Sequence, residues 1–211
     1  MKLLKSLAAA GLLAAAASPS FAAITLDFEG VESFASVAEF YNGGTDTAGH
    51  SGTNYGISFG LDALALDSTD STLSISHVPT PGATVMTAVG SEAIMNVAAG
   101  FMSRIQFYYS SSATALDAVK VYSGLNGTGT LLASISLSHN ATNGCSDSTF
   151  CNWEQTSLMF AGTAKSVDFG GYAGSVGYDN ITLAPVPEPS TYALMFAGIA
   201  AIGFVASRRK I

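Results

Sequence analysis

Between Ile24 and Ala184 the sequence alternates polar and apolar residues over short stretches, and Gly, Asn, Ser and Asp interrupt these stretches about every ten residues. Alternate residues of a strand face opposite sides of a sheet, so this pattern is typical of antiparallel strands with one buried face. No helical period continues beyond about two turns. We therefore expect an all-β domain, an antiparallel β-sandwich of the jelly-roll type.

The clearest hairpin joins Val119–Ser123 to Thr130–Ile135 through a glycine-rich turn, where glycines supply the positive φ angles that tight reversals need. One short helix is predicted over Ser33–Tyr41, where apolar residues follow the i, i+3, i+4, i+7 spacing. The predicted strands are Ile24–Glu29, Gly56–Leu66, Ser71–His77, Met102–Ser110, Ala118–Ser123, Thr130–Ser138, Ser157–Phe160, Ser166–Phe169 and Val176–Leu183.

Charged residues are scarce, at 11% of 211 residues, against roughly 25% in ordinary soluble domains. The stretch from Ile24 to Ala184 holds three basic and fourteen acidic side chains, so its net charge is −11. Nucleic-acid binding requires clustered Lys and Arg to neutralise phosphates, and this stretch has no such cluster. The composition therefore excludes nucleic acid as a partner.

The first 22 residues have the three-part layout of a secretory signal peptide. Lys2 and Lys5 precede an Ala- and Leu-rich run from Leu7 to Ala17, and Ser20 and Ala22 supply the small residues that signal peptidase accepts. We expect cleavage after Ala22 and a mature chain that begins at Ala23. The alternative is a buried helix.

The C-terminal end combines three unlike elements in a fixed order. A proline-rich start is followed by an apolar run from Tyr192 to Ala206 and by a basic stop. The proline-rich start is Val186, Pro187, Glu188, Pro189 and Ser190, and the basic stop is Arg208, Arg209 and Lys210. This tail resembles that of the PEP-CTERM family of exported bacterial proteins. The resemblance implies processing by an exosortase and an association with exopolysaccharide and with biofilm or floc matrices.

The apolar run of this tail is short for a permanent membrane anchor. As a helix, Tyr192–Ala206 would reach about 22 Å, against roughly 30 Å of hydrocarbon. The basic stop should stay cytoplasmic by the positive-inside rule, which leaves the acidic domain outside. We expect a membrane-inserted helix before processing, with a permanent anchor as the alternative. The predicted organisation is a signal peptide at 1–22, a β-sandwich domain at 23–184 and a sorting tail at 185–211.

Cys145 and Cys151 are the only cysteines, and they flank a polar loop before Trp153. In an exported protein such a close pair predicts a disulfide. The alternatives are two free thiols or a metal site, but a zinc site needs about four ligands and no histidine lies within this loop.

Asp179 lies in the alternation of the last predicted strand, Val176–Leu183, on the same face as Ile181 and Leu183. A buried carboxylate needs hydrogen-bond donors, a cation or a proton. The acidic first strand and the Asp-Asn-Ile segment of the last strand resemble jelly-roll carbohydrate-binding domains that hold a structural calcium ion. By that resemblance Asp27, Glu29 and Asp179 would bind calcium. The alternative is that Asp179 caps backbone amides in a turn.

Glycan binding requires aromatic rings beside amide and carboxylate groups. Two loops offer this mixture, one with Tyr41, Asn42 and Asp46 and the other with Trp153 next to the cysteine pair. Aromatic residues in strands more often belong to the core, which is the alternative for both.

Motifs of nucleophilic, zinc-dependent and phosphate-binding enzymes are missing from the sequence. We therefore expect a non-catalytic protein at the cell surface or in the matrix that has a structural or glycan-binding role with exopolysaccharide or other matrix components. The rival hypothesis is a secreted glycan hydrolase with a carboxylate pair, Asp27 with Glu29 or Asp67 with Asp70. An anionic exopolysaccharide would bind this acidic domain only through divalent cations.

Overall fold

The computed structural model describes residues 23–185, and beyond them Gly198, Ile199 and Ile202, which are helical. The predicted signal peptide lies outside the described residues, as does nearly all of the predicted sorting tail. Within the described part of the chain, no helix combines the length and the apolar character needed to span a bilayer.

Residues 23–185 form an all-β fold in which every pair of strands is antiparallel, as the alternation predicted. The strands are β1 (Ile24–Leu26), β2 (Ile57–Phe59), β3 (Ala63–Asp67), β4 (Thr84–Ala88), β5 (Ile94–Ser111), β6 (Ala115–Tyr122), β7 (Leu131–Leu137), β8 (Glu154–Asp168) and β9 (Val176–Pro185). One short 3₁₀ helix, Gly170–Tyr172, precedes β9.

The hydrogen-bonded order is β3-β4-β9-β5-β8-β6-β7, with β1 added to β9 and β2 added to β5. The long strands β5 and β8 pair along most of their length, but their register shifts between Asn96 and Phe101 and again between Met102 and Arg104. Such irregularities bend a sheet and increase its twist, so one continuous ladder curves into a sandwich-like shape.

The buried core contains two groups of aromatic rings. Phe107 of β5, Phe169 and Tyr178 of β9 meet edge to face, with ring centroids 4.9 to 6.2 Å apart. A second group joins Phe28 to Phe59 at 6.0 Å and to Tyr41 at 6.2 Å. These aromatic groups anchor β9 and the segment after β1, which carry the candidate site.

The β6–β7 hairpin is present as predicted, with its turn over residues 123–130. The predicted helix at Ser33–Tyr41 is wrong, because Phe34 and Ala38 have left-handed φ angles of 64° and 44°. The backbone N–H groups of Phe34 and Val37 instead donate hydrogen bonds to carbonyls of β3, at 2.8 and 2.9 Å. This segment therefore covers the outer edge of β3.

Other boundaries also differ from the predicted strands. Ser71–His77 is no strand and makes only an isolated bridge from Ile75 to Phe150. Gly56–Leu66 divides into β2 and β3, whereas Ser157–Phe160 and Ser166–Phe169 fall in or beside the single strand β8. The strand β4 and the first half of β5 had no predicted counterpart.

Candidate functional site: an acidic cluster and its polar cavity

The pairing of β1 with β9 brings together the two acidic segments that the sequence analysis singled out. The ladder runs from Ile24 opposite Leu183 to Leu26 opposite Ile181. It ends there because Phe28 and Asn180 both have left-handed φ angles, of 60° and 49°. The chain that leaves β1 with Asp27 and Glu29 therefore lies beside Asp179.

Asp179 is buried, with 1% of its surface exposed. Its Oδ1 accepts one hydrogen bond, from the backbone N–H of Asn180 at 2.7 Å. Burial raises the pKa of the carboxyl to about 8, the Asn180 hydrogen bond opposes this rise, and the charges of Glu29 and Asp27 add to it. The side-chain Oδ1 of neighbouring Asn180 is also buried and has no hydrogen-bond partner. The site thus holds oxygen atoms that lack sufficient donors.

Glu29 is fixed against the loop that precedes β4. Its Oε1 accepts hydrogen bonds from the backbone N–H groups of Ala83 at 2.8 Å and Thr84 at 2.7 Å. Gly82 lies so close that an added Cβ would be 2.0 Å from the carboxyl carbon of Glu29. A glycine at this position is therefore required for the carboxylate to dock.

The chemistry of these donors fits a hard cation. Asp27, Glu29, Asp179 and the Asn180 side chain supply only oxygen ligands, which calcium prefers. Among the described residues, the group of three acidic, cysteine or histidine side chains with ligand atoms within 4.8 Å of one another is Cys145, Asp147 and Cys151. The charges of Asp27 and Glu29 act on Asp179, but the ligand atoms of these three acids do not all lie within 4.8 Å of one another.

A polar cavity of about 290 Å³ opens beside this cluster. Its walls include Thr25 and Asp27 from the β1 segment, Tyr41, and Ser51 and Tyr55 from the following loop. The ring of Tyr55 stacks on that of Tyr41, with centroids 6.1 Å apart and planes inclined by 26°. Tyr55 lines the cavity and is 40% exposed, so part of its ring is accessible to solvent.

The three predicted glycan residues of this region differ in their exposure. Tyr41 is buried and its hydroxyl accepts a hydrogen bond from the backbone N–H of Phe28. Asp46 is also buried, and its carboxylate accepts backbone hydrogen bonds from Glu32, Ala48 and His50 at 2.8 to 2.9 Å. Both side chains hold the loop together, and Tyr41 also lines the polar cavity. Asn42 is exposed and donates to Glu39 Oε2 at 2.6 Å.

Trp153 lies elsewhere, in a separate apolar cavity of about 140 Å³. Its Nε1 donates to the carbonyl of Ser76 at 3.1 Å, and its ring covers Gly177 of β9. An added Cβ at Gly177 would be 2.7 Å from the indole. Trp153 therefore closes the gap between the segment at Ser76 and the sheet, away from the polar cavity.

Cys145 and Cys151 form the predicted disulfide. Asp147 in the loop between them accepts a hydrogen bond from Ser76 Oγ at 2.9 Å and lies 3.2 Å from Nε2 of His77. The structure thus brings a histidine of a distant segment to the cysteine loop.

Asp67 and Asp70, the other carboxylate pair considered for hydrolysis, both stabilise turns. Oδ1 of Asp67 accepts from the backbone and hydroxyl of Thr69, and Oδ1 of Asp70 does the same with Thr72, all at 2.7 to 2.9 Å. These contacts are the local side-chain to backbone bonds that aspartates commonly make in turns.

Two residues of the site were missed by the sequence analysis. Asn180 follows Asp179 directly, and its unpartnered oxygen becomes evident only from the three-dimensional packing. Tyr55 lies in a Gly-, Thr- and Asn-rich loop without strand alternation, so no pattern distinguished it from Tyr41.

The comparison with protein families concerns the other end of the chain. Residues 185–210 match the model of the PEP-CTERM protein-sorting motif. The chain carries a PEP-CTERM sorting motif. This PEP-CTERM motif indicates an exported protein that is sorted to the cell envelope or surface, as the tail predicted.

No curated protein sequence matches this chain. Among solved structures, the K2 cleaved adhesin domain of Lys-gingipain is similar, with 15% identity, coverage of 77% of this chain and 99% of that one, and a TM-score of 0.45. A module from Clostridium stercorarium, CsCBM6-3 in complex with cellobiose, has 17% identity, coverage of 58% and 93%, and a TM-score of 0.35.

A carbohydrate-binding module of Cellvibrio mixtus lichenase 5A, in complex with cellotriose, has 12% identity, coverage of 60% and 88%, and a TM-score of 0.34. At such values these likenesses assign no function to this chain.

Proposed function

We propose that this exported protein binds a glycan of the cell surface or extracellular matrix, without turnover, in the polar cavity beside Tyr55. The observation that carries the proposal is the stacked Tyr41–Tyr55 pair next to half-buried carboxylates in one cavity of about 290 Å³. An aromatic face and fixed polar groups are what a sugar ring requires, because its C–H face is apolar and its rim carries hydroxyls.

Each wall of the cavity has a separate task in this proposal. Tyr55 stacks on a sugar face, and Tyr41 beneath it holds the ring of Tyr55 in place. The carboxylates of Asp27 and Glu29 accept hydrogen bonds from sugar hydroxyls, which are stronger to a charged acceptor than to a neutral one. The exposed hydroxyls of Thr25 and Ser51 donate and accept at the rim.

We also propose that Asp179, Glu29, Asp27 and the Asn180 side chain hold a structural calcium ion. When bound, calcium supplies positive charge that stabilises the carboxylate form of buried Asp179. Glu29 fastens the segment after β1 to the loop at Ala83, and the Asn180 side chain donates to the carbonyl of Thr80 at 3.3 Å, so β9 is held to the same loop.

The role in the matrix and the processing of the chain belong to the same proposal. Signal peptidase and an exosortase process the two ends, and the C-terminal helix inserts into the membrane before processing. Exopolysaccharide of a biofilm matrix is the proposed glycan. A net charge of −11 over residues 24–184 favours a neutral glycan bound directly, or an anionic one bridged by divalent cations.

A glycan array followed by titration calorimetry with the purified protein, in calcium and in chelator, tests the proposal. We expect saturable binding that Tyr55→Ala weakens at least about tenfold, since truncation of an aromatic hot-spot residue in a binding site costs about 2 kcal/mol or more. Phe34→Ala is the matched control, because Phe34 is an exposed aromatic that does not line the cavity.

Equal binding by Tyr55→Ala and by the parent protein would refute the cavity as the site. Release of reducing sugar from the bound glycan, abolished by Asp27→Asn, would instead identify a hydrolase. The internal hydrogen bonds of Glu29 favour binding over turnover, because its Oε1 is already occupied by two backbone donors.

A further inference from the structure

We propose that the disulfide loop and His77 form a second metal site, which binds a zinc-class cation only when the disulfide is reduced. Its ligands are Sγ of Cys145 and Cys151, a carboxylate oxygen of Asp147 and Nε2 of His77. This site is separate from the acidic cluster of β1 and β9 and takes a softer metal.

The geometry places the ligand atoms together already. Single ligand atoms of Cys145, Asp147 and Cys151 lie within 4.8 Å of one another. Nε2 of His77 lies 3.2 Å from Oδ2 of Asp147. The two sulfur atoms are bonded to each other and must separate on reduction before both can contact one ion, and Cys151 is buried. The side chains of His77 and Asp147 are 63% and 51% exposed and can adjust to that ion.

The segment that carries His77 is held to the cysteine loop and to Trp153 by hydrogen bonds. The backbone N–H of Ser76 donates to the carbonyl of Phe150 at 2.9 Å, and that of Phe150 donates to Ser74 at 3.1 Å. Trp153 adds a hydrogen bond to the carbonyl of Ser76 at 3.1 Å. Breaking the S–S bond therefore leaves His77 beside the loop, and this preorganisation favours metal binding.

The donor set selects the class of metal. Two thiolates, one imidazole and one carboxylate make a four-ligand set of the kind that zinc binds tetrahedrally, and that calcium, which prefers oxygen, does not. In the oxidised protein the two sulfur atoms are bonded to each other, so only His77 and Asp147 remain as metal ligands. Two exposed ligands are too few for a tight site.

Metal binding at this site requires two steps, reduction of the disulfide and loss of the thiol protons. A dithiol reductant attacks the disulfide, breaks the Cys145–Cys151 S–S bond and leaves as a cyclic disulfide, with two electrons and two protons passed to the cysteines. The metal ion then displaces both thiol protons to solvent as two S–metal bonds form. A small-molecule disulfide oxidant reverses the process: it accepts the two electrons and leaves as two thiols, the Cys145–Cys151 bond forms again, and the ion is released.

Cobalt(II) titration of the purified protein, after reduction and removal of the reductant under argon, tests this site. We expect a thiolate-to-cobalt charge-transfer band with tetrahedral d–d bands, displaced by zinc and missing in the oxidised protein. Cobalt at the acidic β1–β9 cluster would show no thiolate band, so the readout does not depend on the proposed calcium site or on glycan binding.

The variants are His77→Asn and Asp147→Asn, with His139→Asn as the matched control on an exposed histidine. Asparagine suits position 77 because the φ of His77 is 54°, in the left-handed region that asparagine tolerates. Each of the two variants should weaken zinc binding by at least about tenfold, the scale of losses at metal sites. The His139→Asn variant should bind as the parent does.

Absence of a thiolate band in the reduced protein, with an unchanged circular dichroism spectrum, would overturn the proposal. Unchanged zinc affinity in His77→Asn would overturn it as well, since the four-ligand set would be wrong. Loss of the folded spectrum on reduction would also count against it, because the site requires His77 to stay in place without the disulfide.

Discussion

The hydroxyl of Tyr41 accepts a hydrogen bond of 2.7 Å from the backbone N–H of Phe28 inside the core. Burial raises the pKa of this hydroxyl, and the nearby charge of Asp27 raises it further, so Tyr41 keeps its proton. The same hydroxyl faces Oδ1 of Asp27 at 3.5 Å. Tyr41 therefore links the loop at residues 40–55 to the left-handed turn that carries Asp27 and Glu29.

Tyr41→Phe should destabilise the protein. The change leaves the buried N–H of Phe28 without an acceptor, which costs about 1–3 kcal/mol. Urea unfolding followed by circular dichroism measures the loss. Tyr55→Phe is the control, because its ring is exposed, and it should change stability by less than about 0.5 kcal/mol. A Tyr41→Phe protein as stable as the parent would show that the link is unimportant.

Asp179 should make stability fall as pH rises. In the unfolded chain its carboxyl titrates near 3.8, whereas in the fold its pKa is about 8. Between these values the folded state binds one more proton than the unfolded state, so this contribution to the free energy of unfolding decreases from about pH 4 to pH 8. Asp179→Asn should flatten this part of the pH profile, measured by urea unfolding in chelator.

Calcium should reverse the effect of pH at Asp179. Because calcium requires the carboxylate, its affinity should increase as pH rises towards about 8, and it should raise the melting temperature of the parent. Asp179→Asn should lose this thermal shift, whereas Asp70→Asn, in an exposed turn, should keep it. Equal shifts in both variants would place any calcium elsewhere.

The contribution of Asp46 to stability should increase with pH, whereas that of Asp179 decreases. Burial would raise the pKa of Asp46, but hydrogen bonds from the backbone N–H groups of Glu32, His50 and Ala48 hold it below its ordinary value. Its contribution is therefore present above about pH 4 and is lost as pH falls through the lowered pKa. Asp46→Ala should cost about 2–3 kcal/mol at pH 7, measured by urea unfolding. A cost that does not shrink at acidic pH would contradict this account.

The disulfide should contribute modestly to stability. Cys145 and Cys151 are separated by six positions, and closing so short a loop removes about 2 kcal/mol of unfolded-chain entropy. The double variant Cys145→Ala/Cys151→Ala should lower the free energy of unfolding by that amount and leave glycan binding unchanged, because the loop is remote from Tyr55. Loss of glycan binding in a folded double variant would contradict the separation of the two regions.

Local alternation was sufficient to predict the fold class but not every element. It identified the β6–β7 hairpin and the last strand, where polar and apolar residues alternate cleanly. It missed β4, because all five residues of Thr84–Ala88 are buried and nothing alternates. It predicted a helix at Ser33–Tyr41 because helical spacing in sequence carries no information about the left-handed φ angles of Phe34 and Ala38.

The part of the site that the β1–β9 pairing brings together was predictable from the sequence. Asp179 was expected on an apolar face and is buried, and the β1–β9 ladder brings Asp27 and Glu29 to it. The burial of Tyr41 and the position of His77 beside Asp147 depend on contacts between segments far apart in the chain. No periodicity in a single sequence encodes such contacts.

The antiparallel pairing of Ile24 with Leu183 has a mechanical consequence. The acidic cavity lies at one end of the β1–β9 ladder, and Pro185, where β9 ends, lies at the other. A load applied between a ligand in the cavity and a tether beyond Pro185 would run along this ladder, so its hydrogen bonds would resist together in shear. β9 also pairs with β5 and with β4, so these ladders would share the load with the three residue pairs of β1 and β9.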